Sequence, residues 1–262
     1  MRLKHVPAAT GAQWVKQGLQ TFFRQPFAIA GLFFMFMATV SLISIVPVLG
    51  SVVGILVTPA ATLGLMAASR DASRGVFPMP STLVTAFRKD ASSTRAMLIL
   101  GGLYVTSLLM LVAVATLLGP SLPENVAETG LTPEIVRSIV NSPGLWLSFL
   151  LYVPVMMMFW HAPALVHWHA VAPVKSLFFS LLACWNNKGA MLVFTLAWLG
   201  LALIGGLFVA TISGAVGGAA LTLAMYPVVL VLASVFYASL FFTYKDSFEF
   251  DTDFDVVVDT TS

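Results

Sequence analysis

Charge is what this sequence has least of: 9% of its 262 residues are Asp, Glu, Lys or Arg, against about 25% in soluble domains. With 59% hydrophobic residues and a mean hydropathy of +0.95, a soluble fold is excluded. Cysteine is nearly absent. Cys184 stands alone, so no intrachain disulfide can form, and it reads as a small apolar filler. No Asp, Glu, Lys or Arg falls in the middle of a long apolar run. Ion-driven carriers commonly place ionisable groups inside the membrane, so that class is disfavoured. Also missing are a phosphate loop, a Gly-x-Ser-x-Gly nucleophile elbow and a His-Glu-x-x-His pair, so no enzyme activity and no cofactor is expected. Basic residues are not interleaved with aromatics as in a nucleic-acid groove, which removes nucleic acid as a partner.

What is present is a set of six apolar runs near 27–46, 48–68, 96–118, 144–166, 190–212 and 219–243, each about as long as a membrane-spanning helix requires. The fold class is therefore all-α integral membrane, with residues 1–245 as one polytopic domain and 246–262 as an acidic tail. The first run is too long for the apolar region of a signal peptide and lacks a small-residue cleavage pattern, so the amino terminus is expected to stay on. Arg2, Lys4, Lys16 and Arg24 precede the first run, Arg70, Arg74, Arg88, Lys89 and Arg95 lie between the second and third, Lys175 and Lys188 between the fourth and fifth, and Lys245 after the sixth. Only Arg137 falls on the other side. Positive-inside bias makes the basic face cytoplasmic, with both termini there, in a bacterial inner membrane.

The longer outer loop, 119–143, contains Thr132-Pro133-Glu134, a helix start with an N-cap and a proline at the first helical position. Glu124, Glu128 and Glu134 are spaced as a solvated face. Trp146 and Trp168 bracket the fourth span, about 33 Å apart on a straight helix, and read as interfacial anchors.

The inner segments repeat one pattern, a short semi-apolar basic stretch followed by two spans. The first carries Trp14, Val15, Leu19, Phe22 and Phe23 with Lys16 and Arg24, and the second Leu83, Val84 and Phe87 with Arg88 and Lys89. The third carries Leu177, Phe178, Leu181, Leu182 and Trp185 with Lys175 and Lys188. Apolar groups at 15, 19, 22 and at 177, 178, 181, 182, 185 share a helical face, as in helices lying in the interface. Three units of interfacial helix plus hairpin would share one orientation, with any pseudo-symmetry axis along the membrane normal, unlike inverted-repeat transporters. Pro59, Pro154 and Pro227 sit inside second hairpin helices, where freed carbonyls need other partners.

With the Phe22-Phe23-Arg24-Gln25-Pro26-Phe27 entry, the repeated hairpins and the Tyr244-Lys245-Asp246-Ser247-Phe248 exit, the chain resembles uncharacterised bacterial six-span inner-membrane families. These include the membrane domain fused to some glycerophosphodiester phosphodiesterases. The phosphodiesterase chemistry of such fusions resides in a separate soluble domain, so the resemblance implies no catalytic residue.

His161 is the one ionisable residue within a span. Hydrogen bonding to a Ser, Thr, Tyr or a carbonyl loosened by Pro163 is its plain reading, and a pH-sensing or substrate-contact role its functional one. His161, His167 and His169 cannot meet at one metal on a straight helix, because positions 167 and 169 point about 160° apart, and no metal is expected. The pairs Gly50 with Gly54 and Gly214 with Gly218 read as close helix packing.

The tail alternates apolar or neutral and acidic residues from Phe248 to Val256, a period of two that fits an extended strand. Asp251, Asp253 and Asp255 imitate the start of a calcium loop, but Val256 replaces the required glycine. Glu249, Asp251, Asp253 and Asp255 are the candidate partner contacts, either with a second protein or with Arg70, Arg74, Arg88 and Lys89.

Two readings follow. In the first, the chain is a non-enzymatic scaffold or lipid- and envelope-associated protein, whose Lys16, Arg24, Arg88, Lys89, Lys175 and Lys188 hold anionic headgroups. In the alternative, it is a passive transporter or channel-like component for a small solute, with a polar cavity near His161, Tyr104, Tyr152 and Tyr226.

Overall fold

The computed structural model describes residues 1–118, 132–216 and 219–249, with side chains described for all of these except 215, 216 and 219–224. Six helical segments are long and apolar enough to cross a membrane. They are α2 (Pro26–Ile43), α3 (Leu49–Ser73), α4 (Ala91–Leu118), a fourth span made of α6 (Pro143–Trp160) and α7 (Ala162–His169), α9 (Lys188–Val216) and α10 (Ala219–Ser247). The molecule is an all-α, six-span membrane protein.

Each predicted interfacial segment is a helix: α1 (Thr10–Arg24), a 3-10 helix (Pro80–Phe87) and α8 (Pro173–Asn186). A short outer helix, α5 (Pro133–Val140), begins as its sequence predicts, with Thr132 Oγ1 accepting from the Ile135 N–H. Prolines open α2, α5, α6, α8 and the 3-10 helix, since a first-turn N–H has no intrahelical partner to lose.

The spans run further toward the terminus-bearing face than their apolar runs predict. α3 continues to Ser73, α4 starts at Ala91 and α10 ends at Ser247. The added turns of α3 and α10 are packed against neighbouring helices, whereas the first turn of α4 stays exposed or half-buried. Ala72 is buried and Ser69 Oγ donates to the Ala238 carbonyl at 2.6 Å, tying α3 to α10.

The three interfacial segments are exchanged around the molecule. α1 packs on α9 and α10, the 3-10 helix on α3, and α8 on α6 and α7. Each therefore rests on the hairpin preceding its own, with the first closing the ring on the third. For α1 this departs from the expectation of an apolar face lying in lipid. Trp14, Val15 and Phe22 are buried against neighbouring helices, Trp14 completely. Phe23 on α1, Val84 and Phe87 on the 3-10 helix, and Phe178 and Trp185 on α8 remain exposed. Close approach is permitted by glycine: a Cβ on Gly11 would fall 2.1 Å from the Ala190 carbonyl oxygen, and one on Gly18 2.7 Å from Ser239 Cβ. Gly50 likewise lets α3 meet Ile43 at the tip of the first hairpin.

The tail predicted to start at 246 begins later. Asp246 and Ser247 finish α10, and β2 (Phe248–Glu249) pairs antiparallel with β1 (Arg2–Leu3). Asp251, Asp253 and Asp255 lie outside the described residues.

Candidate functional site

Residues 4–6 and 246–247 are fastened together at one face. Buried Asn187, the residue before α9, accepts from the Val6 N–H at 2.9 Å and donates to the Lys4 carbonyl at 2.9 Å and to Ser247 Oγ at 3.4 Å. Trp14 Nε1 donates to Asp246 Oδ2 at 2.9 Å, which fixes α1 to the end of α10. These contacts place α1, β2 and the inner end of α3 around one hollow.

That hollow is a cavity of about 600 Å³, within the 300–1,000 Å³ range of sites that bury small ligands. Arg24, Arg70, Arg74 and Lys245 line it against one carboxylate, Glu249. Gln17, Gln20, Thr21 and Ser73 add neutral polar groups, and Trp168, Phe241, Phe242 and Phe248 form an aromatic wall. Two arginines are held in place. Arg24 Nη1 donates to the Ser73 carbonyl at 2.9 Å, spending one of five N–H groups. Arg70 pairs with Asp71 at 3.2 Å and lies over the Trp168 ring at 5.7 Å, a cation–π position. His169 Nε2 and the Tyr244 hydroxyl are hydrogen-bonded at the same wall.

Preorganised guanidiniums beside aromatic rings suit a ligand with a phosphate-type head and an apolar body. Of the six basic residues expected to hold headgroups, only Arg24 enters this cavity. Lys16, Arg88, Lys89, Lys175 and Lys188 are exposed around the same inner segments, Lys89 Nζ donating to the His167 carbonyl at 3.3 Å and Lys188 lying over Trp185. Trp168, expected as a membrane anchor, instead faces Arg70, Phe241 and Tyr244, whereas Trp146 at the other end is 60% exposed.

The polar cavity predicted near His161, Tyr104, Tyr152 and Tyr226 does not form as a group. Tyr104 lines a smaller cavity of about 110 Å³ with Thr58, Pro59, Thr62, Phe159 and Tyr237. Tyr226 is 74% exposed and Tyr152 41% exposed, on the outer surfaces of their helices. His161 is fully buried in a separate knot. There the fourth span breaks: Ser180 Oγ accepts from the His161 N–H at 2.9 Å and donates to the Met157 carbonyl at 2.7 Å. A hydroxyl from α8 is thereby inserted into the helical ladder between α6 and α7. Thr243 gives its proton to the Leu240 carbonyl, so it accepts from Trp160 Nε1 at 3.1 Å and from His161 Nε2 at 3.3 Å. That assigns the His161 ring proton to Nε2. Nδ1 then faces Cys184 Sγ at 3.7 Å. Every polar group of the ring is committed to structure.

Among known proteins, the chain is 38% identical over 255 residues to a probable inner membrane protein of Burkholderia thailandensis, covering 95% of this chain and 94% of that one. The chain belongs to this inner-membrane family. Its place is accordingly a bacterial inner membrane, which it crosses six times. No family model and no solved structure matches the chain, and the likeness to phosphodiesterase-fused membrane domains gains no support.

Sequence reading missed the cavity because its residues come from five separate places: α1, the end of α3, α7, the end of α10 and β2. The available signal was Arg70 and Arg74, one turn apart beyond the second apolar run, which put two guanidiniums on one helix face.

Proposed function

We propose that this family member is a non-enzymatic, lipid-associated scaffold of the inner membrane, whose basic face is cytoplasmic and carries both termini. The observation behind this reading is the cavity of about 600 Å³ that gathers Arg24, Arg70, Arg74 and Lys245 beside an aromatic wall. At the ends of α3 and α10 such a cavity would meet phosphate headgroups, and its aromatic wall could take the glycerol and first methylenes. The ligand is an anionic phospholipid. Phosphatidylglycerol is the probe of choice.

Purification in lipid nanodiscs followed by identification of bound lipids tests the assignment. Anionic phospholipid should be retained by the protein, and Arg24→Gln with Lys245→Gln should weaken phosphatidylglycerol binding about tenfold. Lys175→Gln, exposed on α8, should leave it unchanged. Equal retention by the double variant would remove the cavity as the binding site. The alternative, passive passage of a small solute, draws on the inner cavity beside Tyr104, and predicts solute flux in proteoliposomes that phosphatidylglycerol does not require.

A further inference from the structure

The cavity holds two groups that a phosphate does not explain. A phosphodiester only accepts hydrogen bonds, so Arg24 and Lys245 suit it and a carboxylate opposes it. Yet Glu249 lines the same cavity, held there by the pairing of β2 with β1. Among the described residues its carboxylate forms no ion pair, its register partner Arg2 included. Thr21 is the second such group. It lines the cavity from α1 and is only 3% exposed, and among the described residues its hydroxyl has no hydrogen-bond partner. Burying a hydroxyl without a partner is costly, and a polar group on a ligand would remove that cost.

The sign of the charge narrows what that group can be. Arg24 and Lys245 also pair with no carboxylate among the described residues, so two unneutralised cations share the cavity with one carboxylate. Their excess disfavours an ammonium on the ligand. The groups left for Glu249 to accept from are neutral donors, which on a phospholipid headgroup are hydroxyls. We propose that Glu249 and Thr21 read the hydroxyls of the headgroup, so that the site selects a phosphatidyl-polyol, a phosphodiester carrying glycerol-type hydroxyls, over an equally charged lipid that lacks them. This rests on the cavity being a headgroup site. Arg24 and Lys245 then supply affinity for the phosphate, and Glu249 with Thr21 supplies the choice among anionic lipids, because a carboxylate left facing a headgroup without donors is a penalty.

The test titrates the full chain in detergent, read by native mass spectrometry, with phosphatidylglycerol and with phosphatidylmethanol of the same acyl chains, which has the same charge and no headgroup hydroxyl. The parent should bind phosphatidylglycerol about tenfold more tightly. Glu249→Ala should weaken phosphatidylglycerol without weakening phosphatidylmethanol, bringing the ratio to about twofold or less, and Thr21→Val should narrow it to about threefold. Variants that keep the tenfold ratio overturn the role of these residues. Equal, saturable binding of both lipids by the parent, weakened for both by Arg24→Gln with Lys245→Gln, overturns the selection and leaves the headgroup site standing. Tighter binding of phosphatidylethanolamine than of phosphatidylglycerol overturns it too, since Glu249 would then be reading an ammonium. Displacement of phosphatidylglycerol by an equal concentration of free glycerophosphoglycerol overturns the lipid as the ligand. Binding of none of these probes overturns both the selection and the site.

Discussion

At the scale of single residues, the polar groups inside this protein are better explained by bonding needs than by chemistry. Cys184 illustrates this. It is buried on α8 with Sγ 3.7 Å from both the Met157 carbonyl and His161 Nδ1, and burial pushes its thiol up to about 12. The folded state thus holds the proton more tightly than the unfolded chain, whose thiol titrates near 8.5. Stability from this group is complete below that pH and is lost as pH rises toward 12. Because the thiolate is the nucleophile, maleimide or iodoacetamide should leave Cys184 essentially unlabelled in native protein at pH 8. Stoichiometric labelling is expected after denaturation in SDS. Rapid native labelling would mean that α8 detaches from the fourth span. That Cys184 is an inert filler was legible from its solitude and its neighbours, whereas its facing His161 was not, since 23 residues separate them and only the fold brings α8 back.

At the scale of elements, apolar length found six spans, but it could not find their ends. α3 and α10 continue beyond their apolar runs because neighbouring helices pack against them, and burial by a distant segment leaves no mark in local hydropathy. The break in the fourth span was half legible. Pro163 announces that a helical bond is lost, and His161 needs partners, yet the inserted group is Ser180 from another helix. Ser180→Ala removes the hydroxyl that satisfies both the His161 N–H and the Met157 carbonyl. Leaving the buried His161 N–H without a partner and the Met157 carbonyl with only the weak Cys184 thiol donor should cost about 1–3 kcal/mol. The expected sign is a lower thermal midpoint in nanodiscs of fixed lipid composition, with α8 the first helix to gain protease sensitivity. An unchanged midpoint would show that α6 and α7 can close into one continuous helix without it.

At the scale of the whole molecule, the repeated pattern proved to be an arrangement in which each interfacial segment serves the hairpin before its own. A repeat read along the sequence suggests three self-contained units, because sequence neighbours are assumed to be spatial neighbours. The exchange instead makes the units interdependent, and α1 is the piece that closes the ring. Gly18→Leu tests the closure directly, since even a Cβ at that position falls 2.7 Å from Ser239 Cβ and 3.0 Å from Ser239 Cα. α1 would have to lift away from α10, at a cost of about 1–3 kcal/mol for an overpacked contact. Amide exchange should then rise in the inner turns of α9 and α10, far along the chain from the substitution, before it rises in α2, which directly follows α1. Gln17, Gln20, Thr21 and Arg24 would leave the cavity wall together, so phosphatidylglycerol binding should fall in the same variant. Protection lost first in α2, with lipid binding intact, would mean that the three units stand separately and that α1 is not the wall of the site.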